Sequence, residues 1–232
     1  MIAAGNRSLS TAPLPRPQAI LFDWDNTLVD SWGVIHAAMN QTLGAMGHPL
    51  WSRADTESRV RASLRDGFPE LFGERWKHAE EIFYRAFEAV HLQELAPLPG
   101  AAELLAELAV AGYYLGVVSN KRGNYLRLEA EQLGWHRHFH RLSGAGDAAR
   151  DKPSREHVDH ALGLGTAAAG PAAGPDVWFV GDADIDMVCA RNTGCRAVLV
   201  RAEAPTAAEL AVAAPDLHFT DLPALAAHLR GL

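Results

Sequence analysis

Cysteine is scarce in this chain of 232 residues: only Cys189 and Cys195 occur, and they do not form a C-x-x-C pair. Their scarcity argues against a disulfide framework and fits a reducing cytoplasm. Also missing is any apolar run of the roughly 18 residues that a membrane-spanning helix needs, so no membrane partner is expected. Residues 1–17 hold Arg7, Arg16 and three prolines but no sustained apolar segment. They read as a flexible tail, not a signal peptide. Positive charge is in the minority, with 21 basic against 28 acidic residues and a formal charge of −7. Nothing in that balance asks for a nucleic acid as partner. The basic cluster Arg59, Arg61 and Arg65 reads as a solvated helix face.

Present instead is an ordinary soluble composition, 48% hydrophobic and 21% charged, in a chain long enough to bury a full core. Gln18 to Asp23 reads as a buried strand. From Ser31 to about Leu95 apolar residues recur at helical spacing, which predicts an all-helical block of about four helices. From Pro97-Leu98-Pro99-Gly100 onward the pattern changes. Helices are expected at 101–111, 124–133, 154–162, 185–192 and 222–229. Strands are expected at 113–118, 138–143, 177–180 and 197–200. Strands alternating with helices imply right-handed crossovers and a mainly parallel sheet covered on both faces. The fold class is therefore α/β: a Rossmann-like core of residues 18–30 and 97–232, interrupted by a helical segment, 31–96.

Such sheets gather ligand groups beyond the strand C-termini. Asp23, Ser119 and Asp182 each stand directly after an apolar strand. In Asp23-Trp24-Asp25-Asn26-Thr27-Leu28, two carboxylates two residues apart on an extended segment point to one side. Unrelieved, they would repel beside an apolar strand, and a hard cation such as Mg²⁺ would relieve them together with substrate phosphate. Ser119 offers a hydroxyl, and Asn120 and Lys121 offer a backbone N–H at a helix start, where anions are favoured; a plain serine N-cap is the alternative. Lys152, before Pro153, could neutralise phosphate as a point cation. In Val180-Gly181-Asp182-Ala183-Asp184-Ile185-Asp186, Gly181 permits close backbone approach. Asp182 and Asp186 fall four apart, on one face of the helix expected there.

D-x-D-x-T-L, a strand-terminal Ser-Asn, Lys-Pro and G-D-x-x-x-D, in this order, resemble the motifs of the haloacid-dehalogenase-like superfamily of phosphohydrolases. The resemblance spans Gln18 to Leu232, and the helical block lies where that superfamily inserts its small α-helical cap. It implies that Asp23 is a nucleophile forming an aspartyl-phosphate and that Asp25 is the general acid/base. Ser119, Asn120 and Lys152 would bind phosphate. Asp23, Asp182 and Asp25, the last through its carbonyl, would hold Mg²⁺, with Thr27, Gly181 and Asp186 supporting. The implied activity is hydrolysis of a small phosphorylated metabolite, in the manner of the phosphoglycolate-phosphatase-like branch. Asn26 departs from the usual glycine, Trp24 from phenylalanine or leucine, and Ala183 from a hydroxyl residue.

A phosphosugar mutase would use the same core, and a binding module without turnover is the rival from another class; the intact Asp23/Asp25 pair argues against the latter. Substrate choice is expected in the cap, with Arg61 and Arg65 as contacts. Trp51, Phe68, Phe72, Trp76, Phe83 and Phe87 are expected to form the cap's core, one or two of them reaching the substrate pocket. Two crossings, near Leu28 to Trp32 and Leu95 to Gly100, with few other contacts, would permit rigid-body closure. Two G-x-G-x-x-A stretches, at Gly144 and Gly163, open no long helix and lack a ribose-binding acid. His136, His138 and His140 alternate as along an edge strand, and Ser119 lacks a G-x-S-x-G elbow.

Overall fold

The computed structural model describes residues 15–60 and 62–232. Arg61 and most of the N-terminal tail (1–14) lie outside the described residues. In chain order the elements are β1 (Ala19–Phe22), β2 (Val29–Asp30), α1 (Trp32–Met46), α2 (Arg53–Arg59), α3 (Leu64–Phe72), α4 (Trp76–Glu88) and β3 (Ala96–Pro97). Then come α5 (Ala101–Val110), β4 (Tyr114–Arg122), α6 (Gly123–Gln132), β5 (Arg141–Ala145), α7 (Arg155–Ala161), β6 (Val177–Gly181) and α8 (Asp184–Thr193). The chain closes with β7 (Arg196–Val200), α9 (Ala207–Ala213), β8 (Leu217–Phe219) and α10 (Leu222–Arg230).

Six strands form one sheet in the order β5-β4-β1-β6-β7-β8, every pair parallel. β1 is wholly buried, which its continuous apolar sequence Ala-Ile-Leu-Phe dictates for a strand covered on both faces. One face packs Ile20, Phe22, Leu115 and Val117 against α5, α6 and α10. The other packs Leu21, Phe179 and Leu199 against α7, α8 and α9. Each such Leu, Ile or Phe contributes about 1.5–3 kcal/mol by leaving water. Among the described residues no helix is long and apolar enough to cross a membrane.

The helical block has its own apolar centre, where Val34, Met39, Leu43, Phe68, Phe72, Phe83 and Phe87 meet. Trp51 and Trp76 pack at its edge, partly exposed. Where the chain leaves and re-enters the sheet, β2 and β3 pair antiparallel. The expectation of few other contacts fails. Arg65 of α3 pairs with Asp151, Glu80 of α4 with Arg122, and Glu88 with Tyr125, while Tyr125 of α6 also packs into the block's apolar cluster.

Three local readings also change. β4 runs on to Arg122 through an irregularity after Val118, so Ser119 lies inside an extended segment and is not a helix N-cap. His136–His138 form a 3₁₀ turn between Trp135, which is buried, and Phe139, packed on the core; the strand starts only at Arg141. α9 went unforeseen, although Thr206 caps it and Glu209 completes a capping box.

Candidate active site

β4, β1 and β6 are adjacent, and their C-terminal ends deliver Ser119, Asp23 and Asp182 to one cavity of about 120 Å³. The Asp23 amide donates to the Val180 carbonyl (2.8 Å), which carries the β1–β6 ladder up to the site. β1 ends at Phe22, and beyond it Asp23 and Asp25 both line the cavity before the chain turns at Asn26, whose φ of 60° is in the left-handed region. Asparagine tolerates that conformation, which accounts for its standing where glycine is frequent. Asn26 Oδ1 also accepts from the Ser31 amide (3.2 Å).

Lys152 is the charged centre. Its ammonium, 2% exposed, lies 2.7 Å from Asp23 Oδ1 and 2.8 Å from Asp186 Oδ1. Its backbone N–H donates to Asn120 Oδ1 (3.1 Å), so Asn120, a cavity residue, also fixes the lysine loop. Burial works against the Lys152 charge, yet Asp186 and Asp23 together hold its pKa far above the usual lysine range. Asp23 goes the other way from an ordinary carboxylate. Burial pushes its pKa well up, Lys152 opposes this, and Asp186 and Asp182 push it higher still.

Asp186 is fully buried and accepts from the Ala183 amide (3.1 Å) at the start of α8. Its carboxyl occupies the space a side chain at 181 would need: a Cβ there would lie 2.3 Å from Asp186 Cγ. Gly181 is thus required by Asp186. Asp182 precedes α8, so the two acids share no helix face; they converge because the strand-to-helix turn folds Asp186 back. Thr27 Oγ1 donates to Asp182 Oδ1 (3.2 Å), and Arg201 donates to the Asp182 carbonyl (3.2 Å) while pairing with Glu209. Arg201 carries no motif that would have marked it.

Asp23, Asp182 and Asp186 each place a carboxylate oxygen within 4.8 Å of the others. One ammonium among three carboxylates leaves an excess of negative charge, and all the donors are hard oxygens. That set fits Mg²⁺ better than a softer ion.

Asp25 has a different partner. Its Oδ1 lies 2.7 Å from the Lys121 ammonium, which also lies 2.5 Å from Glu129 Oε2. Glu129 accepts from Trp24 Nε1 (2.7 Å) and faces His91 Nδ1 (2.9 Å). Sequence reading missed Glu129 and His91 and took Lys121 for a helix start. The one available signal was Glu129 itself, a lone acid on the stripe of Tyr125, Leu126 and Ala130 that α6 buries.

Arg65 is not a cavity residue: its guanidinium holds Asp151 (2.6 Å), a buried carboxylate beside Lys152. The cavity's far wall is apolar, with Trp32, Ile35, Val60, Leu64, Phe83 and Phe87, joined by Tyr84 and Arg122. Phe83 and Phe87 thus both build the block's core and reach the cavity.

Comparison with known proteins agrees with this geometry. The family model of haloacid dehalogenase-like hydrolases matches residues 20–200. Phosphoglycolate phosphatases of Xanthomonas campestris pv. campestris (strain 8004) and Caulobacter vibrioides are 32% and 33% identical. The first alignment covers 78% of this chain and 82% of the relative, the second 78% of each. Among solved structures, a haloacid dehalogenase-like family hydrolase of Streptococcus pneumoniae is 26% identical with a TM-score of 0.75, covering 91% of this chain and 98% of that one. A hydrolase of Pseudomonas syringae, 22% identical, shares the fold with a TM-score of 0.78 over 93% and 99%. The chain belongs to the haloacid dehalogenase-like hydrolases, as a phosphatase of that family.

Proposed function

We propose that this phosphatase hydrolyses a small phosphate monoester, 2-phosphoglycolate or one of similar size, with Mg²⁺ and through an aspartyl-phosphate on Asp23. The observation that carries the reading is the pairing of Asp23 with Lys152 beside Asp182 and Asp186, with Asp25 two residues away in the same cavity. Bound at Asp23 and Asp182, with the Asp25 carbonyl as the third protein donor, Mg²⁺ would supply charge stabilisation to the phosphoryl oxygens.

An Asp23 oxygen attacks phosphorus while the bond to the leaving oxygen breaks, and Asp25 gives that oxygen its proton. Lys152 and the Ser119 hydroxyl face the non-bridging oxygens, where charge is held through the transition state. Asp25 then takes a proton from water, the hydroxide attacks the same phosphorus, and phosphate leaves with Asp23 restored. In this reading the core comprises residues 18–30 and 97–232, and residues 31–96 form a cap whose apolar wall limits leaving-group size. The small volume of the cavity at Asp23 supports a short-chain ester. Release of inorganic phosphate from a panel of phosphorylated metabolites, with and without Mg²⁺, tests it. Metal-dependent release, greatest for short-chain esters, is expected. Isomerisation of a sugar phosphate without phosphate release would overturn it.

A further inference from the structure

Lys121 and Glu129 stand outside the machinery just described, yet their side chains are only 4% and 1% exposed. Burying such a pair is costly, and apolar residues of similar volume commonly serve stability as well or better. What apolar residues could not do is hold a fixed ammonium against Asp25. Two contacts of this set reach the successive residues Trp24 and Asp25. Glu129 Oε2 accepts from Trp24 Nε1 and meets the Lys121 ammonium, whose other partner is Asp25. One carboxylate thereby holds the turn at two successive residues, directly through Trp24 and through lysine at Asp25. Its second oxygen faces His91 Nδ1, and His91 lies in the segment leading from α4 back to the sheet. There His91 stacks on Phe87, and both pack on Tyr125. Burial opposes the charges of both Lys121 and Glu129, yet Asp25 and then Glu129 raise the Lys121 pKa, while Lys121, with hydrogen bonds from His91 and Trp24, lowers that of Glu129.

We infer that Lys121, braced by Glu129, is a positioning residue that aims Asp25 at the leaving oxygen, and that His91 extends the brace to the cap's return segment. The inference rests on the reading of Asp25 as general acid, which Asp25→Asn tests on its own. The readout is kcat/KM, which counts only steps through departure of the leaving group. An alkyl ester such as 2-phosphoglycolate needs its leaving oxygen protonated, whereas p-nitrophenolate departs without a proton. Lys121→Met should therefore lower kcat/KM for 2-phosphoglycolate at least about 10-fold more than for p-nitrophenyl phosphate. His91→Gln should shift the same ratio in the same direction, by less. Asp25→Asn should shift it at least as far as Lys121→Met, and an unchanged ratio there would overturn the reading of Asp25 as general acid.

Should Lys121→Met fail to fold, Lys121→Met/Glu129→Gln removes one charge of each sign and leaves the net buried charge unchanged, and the same ratio decides. Equal losses on both esters, or a raised KM for both with the ratio unchanged, would overturn the inference and leave the phosphatase reading standing. A wild-type protein that releases no phosphate from either ester would overturn the reading itself. An unchanged ratio in His91→Gln, with the expected one in Lys121→Met, would remove the extension to the cap.

Discussion

The floor of the cavity and its far wall are built from opposite materials. The floor is Asp23, Lys152 and Lys121, mostly buried and each paired with opposite charge, on strand ends or in the loops that follow them, with Asp186 of α8 behind Lys152. The wall is Trp32, Ile35, Val60, Leu64, Phe83 and Phe87, carried on helices and their connections. Buried charges tolerate little displacement, because losing one partner leaves the other unpaired at a cost of about 3–5 kcal/mol. They suit the part of the reaction that is common to all esters. An apolar wall can exchange one side chain for another of similar volume at about 1.5 kcal/mol or less, so leaving-group choice can change there without disturbing the chemistry.

Four experiments probe that division. The largest effect is expected from Asp23→Asn, which keeps the shape and removes the proposed nucleophile. Phosphate release should fall by roughly 10⁴-fold or more on every ester, with the thermal midpoint close to wild type. Substantial residual turnover would mean that the floor does not act through Asp23.

Chelation comes next. Excess EDTA should abolish turnover on all esters, and added Mg²⁺ should restore it, because three carboxylates share one ammonium at the site. Full activity in chelator would break the metal assignment.

A third experiment asks whether the floor's charge also sets the protein's acid limit. His157 is fully buried beneath it, and burial with Lys152 nearby pushes its pKa down to about 4. The unfolded chain takes that proton near 6.5, so between the two values the unfolded state binds more protons. Stability is then complete above pH 6.5 and is lost as pH falls toward 4, by about 3 kcal/mol in all. Denaturation midpoints of wild type and His157→Gln across that range should converge as pH falls. Parallel curves would show that His157 contributes nothing to the acid limb.

The smallest effects are expected from the wall and its clasp. Trp32→Ala should reorder the preference among esters by several-fold, whereas Arg65→Ala should weaken all of them alike, because Arg65 meets Asp151 and not the cavity. A substrate panel on both variants would reverse the comparison if the uniform loss came from Trp32.

Asp23 and Asp182 were legible in the sequence because they follow apolar strands, and a parallel sheet brings strand ends together whatever lies between them. Lys152 could be read from its Lys-Pro motif. The bracing residues were not legible in the same way. Trp24 and Glu129 are 105 residues apart, and Glu129 and His91 are 38 apart, so no local period links them. Asp182 and Asp186 were read together for the wrong reason, since a strand-to-helix turn and not a helix face joins them. Arg65 was misread because an arginine on a helix facing a cavity looks the same in sequence whether its anion is a substrate or the protein's own carboxylate.

Under the proposed reading of residues 31–96 as a cap, the Arg65–Asp151 pair would make its opening partly a question of ionic strength. Arg65 is about one-third exposed while Asp151 is buried, so salt reaches one side of the contact. Added salt would weaken the clasp and raise the share of molecules with the cap lifted. Turnover limited by product escape would then quicken with salt, and turnover limited by phosphoryl transfer would slow, so the sign of the salt effect on kcat reports which step the enzyme waits for.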